Sequence, residues 1–449
     1  MVIKKIAACI LILLLCIGVA LLIDDYKYNT VIPDGIYIGF MHIGGLTRKD
    51  AKDRLHKFID KILQSQITLT YDDHKWFFDV SEHVEIDVNK SIEDIIKYTQ
   101  NGNFITRFIL RQQLKKNPLV VNPVVIYKEN NLQRTFEKIN ETIFMEPKNA
   151  SFKVKGDSVS IVDDVDGKIL DDNKLKEDII SNLWFCDEEL TLEIPIKKLK
   201  ADVTTEDLKA LEIKIKIAEY STKFDKSQKG RTKNIRLAAE KINGYILSPG
   251  DIFSFNKVVG ERTRDKGYQE APVFIGNQTV SDIGGGVCQV SSTLYNLALL
   301  TNLEIIERTN HSLPVSYVPL GRDATVNYDT IDLKFKNNTE GNLLLISEVV
   351  EDTLTVKFFG KDKLPFSVEL ISETVKTIQP PVTIKEDKNL PNGEVRIKQG
   401  TPGFTVKLWK KYISSEVEEK SLVSIDTYNP TPTLLYTGVK AVEEDQKYN

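Results

Sequence analysis

The run Asp282-Ile-Gly-Gly-Gly-Val-Cys-Gln-Val-Ser-Ser-Thr-Leu-Tyr-Asn-Leu-Ala-Leu-Leu300 decides how this chain is read. Three consecutive glycines, Gly284, Gly285 and Gly286, free the backbone for positive φ and for close approach to another group. They deliver Cys288 to the start of a helix, which is predicted from Val290, Leu294, Leu297 and Leu300, an apolar stripe at helical spacing. The unpaired N–H groups and the dipole of the first turn point at the sulfur and favour the thiolate. Cys288 is therefore a candidate nucleophile. The competing reading is an inert core thiol, the common fate of a free cysteine, and the rest of the chain has to separate the two.

A chain of 449 residues is too long for one ordinary core, so several domains are expected. The charged fraction of 28% and hydrophobic fraction of 41% are those of a soluble globular protein, and a net charge of -4 provides no basic footprint for nucleic acid. Residues 6–23 form an uncharged apolar run long enough to span a bilayer core. Lys4 and Lys5 precede it and Asp24 and Asp25 follow, which orients the short N-terminus to the cytoplasm and the rest outside. The run has no clear small-x-small site after it, so an uncleaved anchor is expected rather than a signal peptide.

Of the four cysteines, Cys9 and Cys16 fall in that run, leaving Cys186 and Cys288. At most one internal disulfide is possible, and Cys186, in an apolar Leu-Trp-Phe-Cys context, is expected in a core. A Cys186–Cys288 bridge would have to tie two separately patterned domains together.

The pattern along the chain predicts an α+β multidomain protein. After the transmembrane helix come two small α+β modules, 24–115 and 116–203. The first has a Thr47/Asp50 helix start with Ala51, Leu55, Phe58, Ile59 and Ile62 on one face, and the second has hairpin strands at 150–154 and 159–162. An α+β domain at 204–360 follows, with the cysteine helix packed on a sheet, and then a small β module at 365–440 built of short strands.

A thiolate nucleophile needs a base, and of the five histidines only His311 shares the domain of Cys288. A strand returning past the helix start would bring it there. The competing role for His311 is a structural hydrogen bond near Pro314. The group that orients the imidazole is one of Asp323, Asp329 and Asp332, which spacing does not rank. The backbone N–H groups of Cys288 and Gln289 are candidate oxyanion donors. No His-x-x-x-His, paired Cys-x-x-Cys or phosphate-binding loop is present, so no metal and no cofactor is expected.

Residues 213–348 resemble a VanW domain, a family named for a glycopeptide-resistance accessory protein. The resemblance is carried by Arg231-Thr-Lys-Asn234, Pro249-Gly-Asp-Ile-Phe-Ser-Phe-Asn256, Gly284-Gly-Gly-Val-Cys-Gln289, His311-Ser, Tyr317-Val-Pro and Gly321-Arg-Asp-Ala-Thr325. Residues 116–203 resemble the peptidoglycan-binding repeats of Gram-positive surface proteins through Lys148-Asn-Ala-Ser-Phe and Gly167-Lys-Ile-Leu-Asp. The C-terminal segment resembles small β modules that follow such domains, either glycan-binding or a structural cap. The VanW resemblance implies peptidoglycan L,D-transpeptidation with Cys288 as nucleophile, and its motif favours Asp323 as third group. Peptidoglycan stem peptides are the implied substrate and the cell-wall synthesis machinery the implied partner. Stem carboxylates would suit Arg308 or Arg322, with Tyr317 beside them. Two alternatives remain: a cysteine peptidase with water as acceptor, and a wall-binding scaffold in which Cys288 only packs.

Overall fold

The computed structural model describes residues 2–184, 190–275 and 278–438, and Cys186 lies outside the described residues. Two compact units form: the chain up to Lys148 together with Val165–Asp202, and Asn149–Asp164 together with the chain from Val203 onward.

In the first unit, helix α1 (Val2–Lys27) is apolar enough to cross a membrane, with mean hydropathy 3.3 and none of its most apolar window buried. Its last turn is tied to helix α2 (Phe104–Lys116): Arg107 meets Asp25 at 2.5 Å, and Arg111 meets Asp24 at 2.9 Å and Asp25 at 3.2 Å. The helix Arg48–Leu63 starts as its sequence predicts, Thr47 capping the Asp50 N–H at 3.2 Å, and buries Ala51, Leu55, Ile59 and Ile62.

Strand pairing divides the chain differently from a boundary at 115/116. Ile36–Ile38 runs parallel to Leu119–Val121, Val84–Asp87 pairs with Val124–Tyr127, and Gln66–Tyr71 takes Leu190–Glu193 as a parallel neighbour. Ile36, Ile67 and Ile92 consequently share one core with Leu132, Phe136, Leu175 and Ile179. Strands of three to six residues and helices with a single apolar stripe enclose too little surface to close two separate cores.

The hairpin Ser151–Lys155/Ser158–Val162, expected with the second module, leaves that unit altogether. Phe152, Val154 and Val159 pack against Ile213, Leu344 and Phe359 of the second unit. There the hairpin extends a six-stranded antiparallel sheet ordered Tyr245–Leu247, Leu343–Val350, Thr353–Gly360, Ile215–Lys223, Ser158–Val162, Ser151–Lys155. Helices α3 (Lys229–Ile242) and α4 (Val287–Leu300) share its core, where Val290, Leu294 and Leu297 meet Ile235, Ala238, Val356 and Phe358.

Helix α4 is buried on nearly every side, so its apolar stripe understates its burial. Its buried polar residues must then find partners. Ser291 donates to Ala324 O at 2.7 Å, Ser292 accepts from Ala324 N–H at 2.9 Å, and Asn296 donates to Arg322 O at 2.7 Å. Segment 322–326 is thereby laid along the first two turns of α4.

The C-terminal strands are longer than expected. Phe366–Ile378, Gly403–Ser414 and Glu418–Tyr428 form an antiparallel sheet, and Val382–Asp387, Thr433–Gly438 and Val395–Lys398 form a second sheet.

Candidate active site

The glycine turn explains how Cys288 is presented. Gly284 and Gly286 have φ of +87° and +105°, and Gly286 is the residue that caps α4. Gly285 is needed for space, since a Cβ there would lie 2.7 Å from the carbonyl oxygens of Ala271 and Pro272. Cys288 is a free thiol on the first turn of α4, half-buried in the wall of a cavity of about 850 Å³. Its sulfur accepts from Val326 N–H and, as a thiol, donates to Val326 O, both at 3.5 Å.

His311 lines the same cavity. The strand expected to carry it stops at Glu307, and His311 sits in the loop beyond, which a Thr309–Thr325 bridge ties to the segment beside α4. Oδ2 of Asp323 accepts from His311 N–H at 2.7 Å and pairs with His311 Nδ1 at 2.6 Å. The other ring nitrogen is left free of Asp323, and the charge on the imidazole acts on the Cys288 thiol. Cys288 and His311 thus line one cavity, and Asp323 holds the imidazole through Nδ1.

Of the other carboxylates, Asp332 accepts from Ser254 Oγ at 2.6 Å and Asn256 N–H at 2.9 Å and so shapes a turn, while exposed Asp329 lines the cavity at φ +64°.

The electrostatics follow from burial opposed by partners. Burial pushes the Cys288 thiol up, but the His311 hydrogen bond and charge, with Val326 N–H and Arg262, outweigh it and hold the thiol below its ordinary value. For His311, burial disfavours the cation, yet Asp323 and Cys288 raise it to about 9. Asp323 is lowered despite burial by His311 and Arg308. Both shifts run in the sense that favours a thiolate–imidazolium pair.

Several expected residues lie elsewhere. Arg308 does not line the cavity: its side chain is 6% exposed and bonds Asp426 Oδ1 at 2.6 Å and Asp323 O at 2.7 Å. Arg322 is likewise spent inside the fold, donating to Asn296 Oδ1 at 2.6 Å with its guanidinium over Tyr220. Both found partners far away in sequence, which left them unavailable to a ligand. Gln289 N–H is also taken, by Gly286 O at 3.0 Å, whereas Cys288 N–H has no acceptor among the described residues. Tyr317 does line the cavity, and so do Arg231, a motif residue without an assigned role, and Arg262, which no motif singled out.

The C-terminal sheet supplies two residues missed altogether. Buried Tyr428 donates its hydroxyl to Asp323 Oδ1 and accepts from Gly321 N–H at 2.7 Å, and Asp426 holds Arg308. No local signal marks them, because their partners lie about a hundred residues upstream. The described residues contain no group of three or more His, Cys, Asp or Glu able to hold a metal ion.

Comparison with known proteins matches residues 230–359 to the family described as "VanW like protein" and residues 79–189 to one described as "putative peptidoglycan binding domain". An uncharacterized Bacillus subtilis protein, YoaR, is 32% identical over 270 residues, covering 60% of this chain and 86% of that protein. The vancomycin B-type resistance protein VanW of Enterococcus faecalis is 35% identical over 127 residues, covering 27% of this chain and 46% of that protein. Among solved structures, the G5 domain of an IgA1 protease is similar over 17% of this chain and 94% of its own, at 26% identity and a TM-score of 0.13. With YoaR matched over most of its length and the VanW model covering the segment that carries Cys288, His311 and Asp323, the chain belongs to the VanW-like family and is a peptidoglycan-associated cell-wall protein.

Proposed function

We propose that this protein is a membrane-anchored cysteine acyltransferase that cross-links peptidoglycan stem peptides, an L,D-transpeptidase. The observation that carries the reading is that Cys288 and His311 line one open cavity while Asp323 holds the imidazole through Nδ1. A scaffold has no use for a depressed thiol paired with a raised imidazole.

The thiolate of Cys288 attacks a stem carbonyl, and Cys288 N–H donates to the oxyanion. The scissile C–N bond breaks, and His311 gives its proton to the departing amine of the terminal residue. An amine of a second stem then attacks the thioester, His311 takes the proton this amine loses, and the thiolate is restored. Asp323 keeps the imidazole in one tautomer and orientation throughout. Helix α1 is read as the anchor, with the rest of the chain on the wall side, where the peptidoglycan-binding match at 79–189 would hold substrate close.

The test is incubation of the full chain in detergent micelles with tetrapeptide-stem muropeptides, followed by mass spectrometry. Cross-linked dimers that vanish in Cys288→Ala are expected. Trimmed monomers alone would make it a peptidase, and unchanged stems would remove the catalytic reading.

A further inference from the structure

Two arginines line the cavity that holds Cys288, and neither is ion-paired with a carboxylate among the described residues. Arg231, in the first turn of α3, gives Nη1 to Gln289 Oε1 at 2.9 Å, and its guanidinium lies 5.9 Å from the Tyr317 ring centre. Arg262 gives Nη2 to Asn256 Oδ1 at 2.7 Å and is flanked by the rings of Phe255 and Tyr328, while its buried Nε and Nη1 have no hydrogen-bond partner among the described residues. Glu261, Asp282 and Asp329 also line the cavity, yet no ion pair joins them to either arginine among the described residues.

The glycine turn is cut to fit both side chains. A Cβ on Gly286 would come 2.8 Å from Arg231 Cγ, and one on Gly284 would come 3.2 Å from Arg262 Cβ. Holding two largely buried guanidinium groups without counter-ions is costly, and the cost is recovered when an anion enters.

We propose that Arg231, with Arg262 behind it, forms a carboxylate subsite beside Cys288, and that the acyl donor is a peptide cut at its last bond. This deepens the acyl-transfer reading and rests on it for the word donor, though not for the subsite. In a terminal residue the carboxylate carbon is two bonds from the scissile nitrogen, about 2.5 Å away, so the group that holds it must border the attacking sulfur. One further residue would move the carboxylate roughly 3.5 Å along an extended chain, away from both arginines. The free carboxylate of the departing residue is thus what the site reads, and internal peptide bonds are excluded.

The subsite is tested with two small alkylating agents on the full chain, following Cys288 by peptide-resolved mass spectrometry. Iodoacetate carries a carboxylate and iodoacetamide does not, and both react by displacement of iodide by the thiolate. Relative to a short unstructured cysteine peptide, the iodoacetate-to-iodoacetamide rate ratio at Cys288 should be raised about tenfold or more, the usual worth of a hydrogen bond to a charged group. Arg231→Gln should return it to near one. Should that variant not fold, Arg231→Lys, which keeps the charge but loses the fork, should lower the ratio severalfold.

A wild-type ratio near one, or a raised ratio that neither variant lowers, overturns the subsite. A parallel assay compares stem peptides ending in a free acid and in an amide. Loss of the amide's turnover supports the reading of the last bond, and equal turnover overturns it. A raised alkylation ratio with no turnover of either peptide would sink the acyl-transfer reading while leaving the subsite standing.

Discussion

The hydroxyl of Tyr428 donates to Oδ1 of Asp323 while His311 holds Oδ2, so the two oxygens of one carboxylate are shared between the C-terminal sheet and the imidazole. Asp426, two residues earlier on the same strand, grips Arg308, whose Nε in turn holds Asp323 O. The C-terminal sheet is therefore part of what fixes Asp323 and, through it, the His311 ring. Because Tyr428 does not line the cavity, Tyr428→Phe should lower kcat about tenfold and leave KM unchanged. A matched loss in KM, or full activity in a folded variant, would remove Tyr428 from this positioning role.

The pH dependence of Cys288 alkylation by iodoacetamide reports the ion pair. Its thiol is held below its ordinary value, so the rate should rise at lower pH than that of a free cysteine and fall as acid protonates the thiolate. The raised His311 pKa means that the imidazolium is present below about 9 and is lost as pH rises through that value, so transfer should decline on the alkaline side there. In Asp323→Asn the carboxylate charge is gone, burial then dominates at His311, and the alkylation profile should move to higher pH. An unmoved profile would show that Asp323 does not govern the pair.

His311→Gln should reduce transfer by about 10²–10⁴-fold, the usual worth of a positioned general base. Glutamine can still meet Asp323, so thermal unfolding should change little. A destabilised but fully active variant would leave Cys288 without a base.

Gly285→Ala tests the turn by sterics alone. Its new Cβ would meet two backbone oxygens 2.7 Å away that no rotamer change can move. Lower thermal stability together with slower Cys288 alkylation is expected. Unaltered behaviour in both would mean that the turn adapts and does not set the sulfur's position.

The cysteine helix and His311 as its partner could be read locally, because glycines, apolar spacing and histidine scarcity are properties of short windows. Spacing did not rank Asp323 above Asp329 and Asp332, since all three follow His311 closely; the family motif favoured Asp323, and the geometry places it on the imidazole. The arginines went the other way. Arg308 lies three residues before the histidine and Arg322 in the Gly321–Thr325 motif, but their guanidinium groups are held by Asp426 and Asn296, and nothing near either arginine in sequence announces those pairings. The clue that could have helped lay inside α4: Ser291, Ser292 and Asn296 in an otherwise apolar helix had to be buried against backbone polar groups, which proved to be those of segment 322–326. The domain boundary at 115/116 failed for the same reason, since pairing between distant strands carries no mark in the window around either one.

The ion pairs at the end of α1 have a mechanical consequence. Asp24 and Asp25 belong to the last turn of the apolar helix, yet they are clasped by Arg107 and Arg111 of the first folded unit. No slack tether separates the two. Were α1 set in a bilayer, this unit would not swing on a flexible leash but would be held at one height above the lipid.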